Sequence, residues 1–77
     1  MAMEEMVRIP HERVGAVVGK NGASKKQIEK ATTTRINVDS DAGEIKIKGN
    51  EKNPIGFYNA TNIVKAIGRG FSPEKAL

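Results

Sequence analysis

Val14-Gly15-Ala16-Val17-Val18-Gly19-Lys20-Asn21-Gly22-Ala23-Ser24-Lys25-Lys26 is the stretch that decides the fold of this chain. Its first half is apolar, with Val14, Val17 and Val18 at the spacing of one helix face. Gly19-Lys20-Asn21-Gly22 interrupts that face, and polar helix-forming residues resume at Ala23. The pattern predicts two helices, from about Glu12 to Val18 and from about Ala23 to Thr32, joined by a loop with glycine at both ends. Glycine there permits backbone conformations closed to other residues and a close approach to a phosphodiester. The loop opens onto the start of the second helix, whose unpaired N–H groups and positive dipole end face the same place. Lys20 and Asn21 at the tip add a charge and an amide donor. A Gly-x-x-Gly pattern alone is most often a plain interhelical turn. Its setting, with valines in front and an alternating strand behind, makes it an anion-binding candidate.

Outward from the loop, Glu5-Met6-Val7-Arg8-Ile9 reads as a strand with Val7 and Ile9 on one face, ended by Pro10, which cannot donate to a ladder. The second helix is expected to bury Ile28 and Ala31 and to expose Lys25, Lys26, Glu29 and Lys30. Thr32-Thr33-Thr34 favours extended chain, because three β-branched residues crowd the preceding turn. Arg35-Ile36-Asn37-Val38-Asp39 and Glu44-Ile45-Lys46-Ile47-Lys48 alternate cleanly around the turn residues Ser40-Asp41-Ala42-Gly43, which predicts a hairpin. Asn53-Pro54 is an N-cap followed by proline at the first helical position. The helix it opens carries Phe57, Ala60, Ile63, Val64 and Ile67 as a stripe, and Gly68 and Gly70 stop it. Ser72-Pro73-Glu74 begins a further helix, so residues 71–77 read as its truncated start. The order strand, helix, helix, strand, strand, helix gives an α+β domain, a three-stranded sheet packed on three helices.

Composition narrows the function. Seventy-seven residues, 38% hydrophobic and 29% charged, make one small globular domain. With no cysteine and one histidine, neither a disulfide nor a zinc site can be built. No apolar run is long enough to span a membrane and no signal-like leader is present, so a soluble, cytoplasmic domain is expected. The net charge of +4 is unevenly distributed: residues 13–35 hold six basic residues and one acid, the remainder seven basic and eight acidic. One polyanion contacted by one face is the implied partner. The only aromatics, Phe57, Tyr58 and Phe71, lie outside that segment, so nucleic-acid binding would proceed without stacking on rings. Gly15 to Lys20 is not a nucleotide-binding P-loop, which needs four residues between its glycines and Ser or Thr after the lysine. Asp39, Asp41 and Glu44 surround a turn, and no nucleophile–base pair is present. The chain is not expected to be an enzyme or to need a metal or cofactor.

Taken with Val7-Arg8-Ile9-Pro10, the run Val14 to Gly22 resembles a KH domain, and the order of elements resembles the type I arrangement, β-α-α-β-β-α, over residues 4–70. The resemblance implies that the glycine loop clamps the backbone of about four nucleotides of single-stranded RNA. The bases would lie between the first two helices and the middle strand. Carried onto this chain, it implies a groove lined by Val14, Gly15, Ala16 and Val18, and phosphates held by Gly19, Lys20, Asn21 and Gly22 with help from Lys25 and Lys26. Arg35, Ile36 and Asn37 would meet base edges, partly through backbone groups. Lys25 stands where many KH domains have an aliphatic residue, and Glu29 where a basic one often helps read the bases. Residues 23–29 and 67–77 are similar to the first KH domain of archaeal relatives of the KRR-type and partner-of-Nob small-subunit ribosome assembly factors. That likeness implies ribosomal RNA as ligand, a second KH domain in the parent chain and ribosome-assembly proteins as partners. A KH-fold protein-interaction module with little affinity for RNA is the alternative.

Overall fold

The structure, a computed structural model, describes residues 3–70 of the chain. β1 spans Met3–Arg8, α1 Val14–Val18, α2 Ala23–Thr32, β2 Arg35–Asp39, β3 Glu44–Gly49 and α3 Pro54–Gly68. The order is the expected one, and α2 and β2 have the bounds that the residue pattern predicts. The expected helix at Ser72-Pro73-Glu74 lies outside the described residues.

The three strands form one antiparallel sheet in the order β1-β3-β2, which leaves β2 at an edge. Val7 and Val38 both lie opposite Ile45, and Ile36 lies opposite Ile47. Because side chains alternate across a strand, these apolar residues share the face that the helices cover. Ile36, Ile45 and Ile47 are fully buried there beside Val17, Ile28, Val64 and Ile67. Phe57 and Val38 are only half-buried at the margin of this core.

Three expectations need correction. Ile9 leaves the ladder after Arg8, although its side chain stays in the core and its N–H donates to the Gly43 carbonyl at 3.0 Å. The first helix is shorter than the valine spacing suggested: a 3-10 turn covers His11–Arg13, and α1 holds only five residues. In α2 the inward positions are Ile28 and Thr32, whereas Ala31 is exposed. A four-residue step from Ile28 lands on Thr32, whose hydroxyl is satisfied on the Ile28 carbonyl at 2.6 Å, so a polar residue occupies the core-facing position without an unpaired group.

The Asn53-Pro54 start of α3 is as expected, with Asn53 Oδ1 accepting the Gly56 N–H at 3.0 Å. Replacing Asn53 by alanine is expected to cost about 1 kcal/mol. For a domain of this size that is a melting temperature lower by about 4–8 °C. An unchanged melting temperature would mean that the cap carries no stability.

Candidate nucleic-acid interface

The loop between α1 and α2 owes its shape to three residues with positive φ. Gly19 (φ 73°, ψ 179°) ends α1 and its N–H donates to the Gly15 carbonyl at 2.8 Å. Asn21 (φ 56°, ψ 28°) takes the left-handed conformation, which asparagine tolerates better than most residues. Gly22 (φ 76°, ψ 12°) then turns the chain into α2 and serves as its N-cap with no side-chain hydrogen bond. The ten-residue α2 therefore starts without a side-chain cap, although its Ala23 N–H is already taken by the Lys20 carbonyl. Lys20, Asn21 and Lys26 are exposed around this end of α2, and Lys25 is half-buried beside them.

From α1, Gly15 is exposed and Ala16 and Val18 are half-buried, so all three present surface next to the loop. The Val14 side chain is buried in the core, as is that of Ile36 on β2. Any contact these two make with a ligand runs through backbone. At Ile36 even that is partly committed: its N–H donates to Glu29 Oε2 at 2.8 Å, across from α2 to the edge strand. Glu29 Oε1 lies 3.7 Å from Lys25 Nζ. Groups on one antiparallel residue point to the same side of the strand, so the Ile36 carbonyl also faces outward along this edge. The acid therefore caps the donor and leaves acceptors on the edge. Arg35 and Asn37 flank Ile36 and, by strand alternation, project to the opposite, exposed face of the sheet. The structure thus gathers Gly15, Ala16, Val18, the loop, Lys25 and Lys26 at one end of α2, and sets Arg35 and Asn37 apart from them.

Two features of this site had no signal in the residue pattern. Ser24 packs so closely on Gly19 that a Cβ there would lie 2.8 Å from the Ser24 backbone nitrogen. Arg13, one of the six basic residues counted in the positive segment, donates from Nε to the Ile67 carbonyl at 3.1 Å and helps hold the end of α3. Among the described residues no group of three or more His, Asp or Glu side chains could hold a metal ion, and no helix is long and apolar enough to cross a membrane.

An antiparallel sheet ordered β1-β3-β2, covered by three helices with the glycine loop between the first two, has the type I KH topology. The chain belongs to the KH domain family, whose model matches residues 4–56. It is 45% identical over 75 residues to a KH domain-containing protein of Methanocaldococcus jannaschii, a match covering 95% of this chain and 33% of that protein. Among solved structures it is similar to Dim2p from Pyrococcus horikoshii, with 47% identity and a TM-score of 0.91 over 96% of this chain and 46% of Dim2p. The same TM-score and identity hold for Dim2p in its complex with a/eIF2α and rRNA, over 97% of this chain and 44% of that one. A protein of unknown function from Aeropyrum pernix matches with a TM-score of 0.93 and 37% identity, over 99% of this chain and 41% of its own. The chain spans a third of the curated relative and less than half of each of these structures.

Proposed function

We propose that residues 4–70 form a single-stranded RNA-binding KH domain that holds the backbone of about four nucleotides at Gly19-Lys20-Asn21-Gly22. The observation that carries this is the loop itself: a left-handed turn opening onto an α2 N-terminus without a side-chain cap, ringed by exposed Lys20 and Lys26. Such an arrangement binds an anion chiefly through backbone N–H groups and the helix dipole, which suits a phosphodiester of any sequence. Bases would lie along α1, α2 and the β2 edge. Glu29 and the Ile36 carbonyl would present acceptors there, which suits a base offering an amino donor over one offering only carbonyls.

The likeness to Dim2p, crystallised in a complex with rRNA, supports ribosomal RNA as the ligand, and we propose with it a role in small-subunit ribosome assembly in the cytoplasm. A second KH domain in the parent chain is part of the same proposal, as are ribosome-assembly proteins as partners. A protein-docking module is the second reading, favoured by the presence of a/eIF2α in that same complex. Titrating RNA affinity against salt separates the two. Three or four phosphates at about 0.7 each give an expected log–log slope of about −2 to −3 on single strands. A slope near zero, or a preference for duplex over single strands, would remove the clamp and leave the docking module.

A further inference from the structure

An open concavity of about 850 Å³ lies at the other end of α2, away from the glycine loop. Its walls are the last turn of α2, the turn into β2, the start of β2, the end of β3 and the approach to α3. Lys30, Arg35, Lys48 and Lys52 line it, against the two acids Glu29 and Glu51. Lys48 and Lys52 lie outside the basic segment seen in the sequence and are brought to it by the pairing of β3 with β2.

The charge here is unbalanced in a specific way. Arg35 and Lys48 sit directly opposite each other on the ladder, an arrangement of like charges that disfavours the sheet unless something neutralises it. Lys48 also has Glu4 opposite it on β1, but the Glu4 carboxylate is placed 3.5 Å from Lys46 instead. Glu29 is engaged by the Ile36 N–H and by Lys25. Among the described residues none of the four cations lining the concavity forms an ion pair. The Thr33 hydroxyl and the Asn50 amide NH2 add donors to this wall, whereas the Thr34 hydroxyl is already committed to Thr32 Oγ1 at 2.7 Å.

We propose that this concavity is a second phosphate-binding site, which holds the backbone of the same RNA strand beyond the nucleotides taken by the glycine loop. It rests on the single-stranded RNA reading of that loop. Ten residues of α2 separate the two sites by about 15 Å, and Glu29 and Arg35 connect the concavity to the β2 edge along which the bases would run. Four cations spread over a space this wide match successive phosphodiesters better than one small anion. The negative end of the α2 dipole lies here too, but its effect is smaller than that of the cations around it.

The test compares single-stranded RNAs of about four nucleotides and about ten on the whole chain, by fluorescence anisotropy over a range of salt. The salt slope is the readout, because a longer strand binds tighter on register count alone without changing its slope. The parent is expected to show a steeper slope on the longer RNA, by about 1.4 for two added phosphates. Lys30→Gln/Lys52→Gln is expected to abolish that increment and leave binding of the short RNA intact. If short and long strands give one slope, or if the variant weakens both alike, the second site is refuted. The glycine loop is scored separately with Lys20→Asp/Asn21→Asp. Should that change leave RNA binding untouched while Lys30→Gln/Lys52→Gln weakens it, the concavity stands and the loop does not.

Discussion

Lys20→Asp/Asn21→Asp is expected to abolish RNA binding while the domain stays folded. Both residues are exposed, both flanking glycines are kept, and neither side chain takes part in the core. Surface changes of this kind alter stability by less than about 0.5 kcal/mol. Asn21 occupies the left-handed region at φ 56°, which aspartate also tolerates, so the turn survives. Negative charge near the start of α2 is even mildly favourable to the helix, by about 0.3–1 kcal/mol. For a bound strand the balance reverses. Two carboxylates then stand where phosphates must come within contact of the loop backbone, replacing one attraction with repulsion and adding a second. The circular dichroism spectrum and melting temperature should match the parent, while anisotropy with a short single strand shows no saturation. Lys46→Asp/Asn62→Asp makes the same change in net charge at exposed positions on β3 and α3 and should cost far less. Equal losses from the two double variants would mean a diffuse field effect and no clamp.

Gly19→Ala is expected to do more damage than Gly22→Ala, although the two glycines look equivalent in the motif. With φ 73° and ψ 179°, Gly19 lies in a region that is nearly closed to every other residue, and an L side chain there costs about 1–3 kcal/mol in backbone energy alone. The added Cβ would also lie 2.7 Å from Ser24 Cβ and 2.8 Å from the Ser24 nitrogen, at the first turn of α2. The loop can relieve this only by moving the N–H groups that the ligand needs. Gly22 is left-handed at φ 76° and ψ 12°, where alanine costs about 1–2 kcal/mol, and its Cβ would point into open space. Gly19→Ala should therefore lower the melting temperature further and lose RNA binding, whereas Gly22→Ala keeps measurable affinity. The reverse order in either thermal melts or anisotropy would show that the loop geometry has been assigned to the wrong glycine.

The residue order was enough to place every element from the first strand to α3, because each signal is local. Apolar spacing marks α3, strict alternation marks β2 and β3, and Asn53-Pro54 caps α3. The glycine loop proposed to bind phosphate was legible for the same reason: glycine at a helix junction is a statement about φ and ψ, which neighbouring residues control. What stayed hidden depends on how distant pieces meet. Alternation sets Arg35 and Asn37 opposite Ile36 and turns the apolar Ile36 side toward the helices, but only the docking of α2 on the sheet brings Glu29 onto the Ile36 N–H. Thr32 and Ala31 are adjacent and compatible with the same helix, and the packing of α2 decided that the polar one turns inward. The positive charge was read as one run along the chain. Tertiary structure splits it, attaching Arg13 to the Ile67 carbonyl and setting Lys30 and Arg35 beside Lys48 and Lys52. Local conformation follows from the chemistry of a few successive residues, whereas the surface a ligand meets is set by contacts between residues far apart in sequence, whose pairing no local pattern encodes.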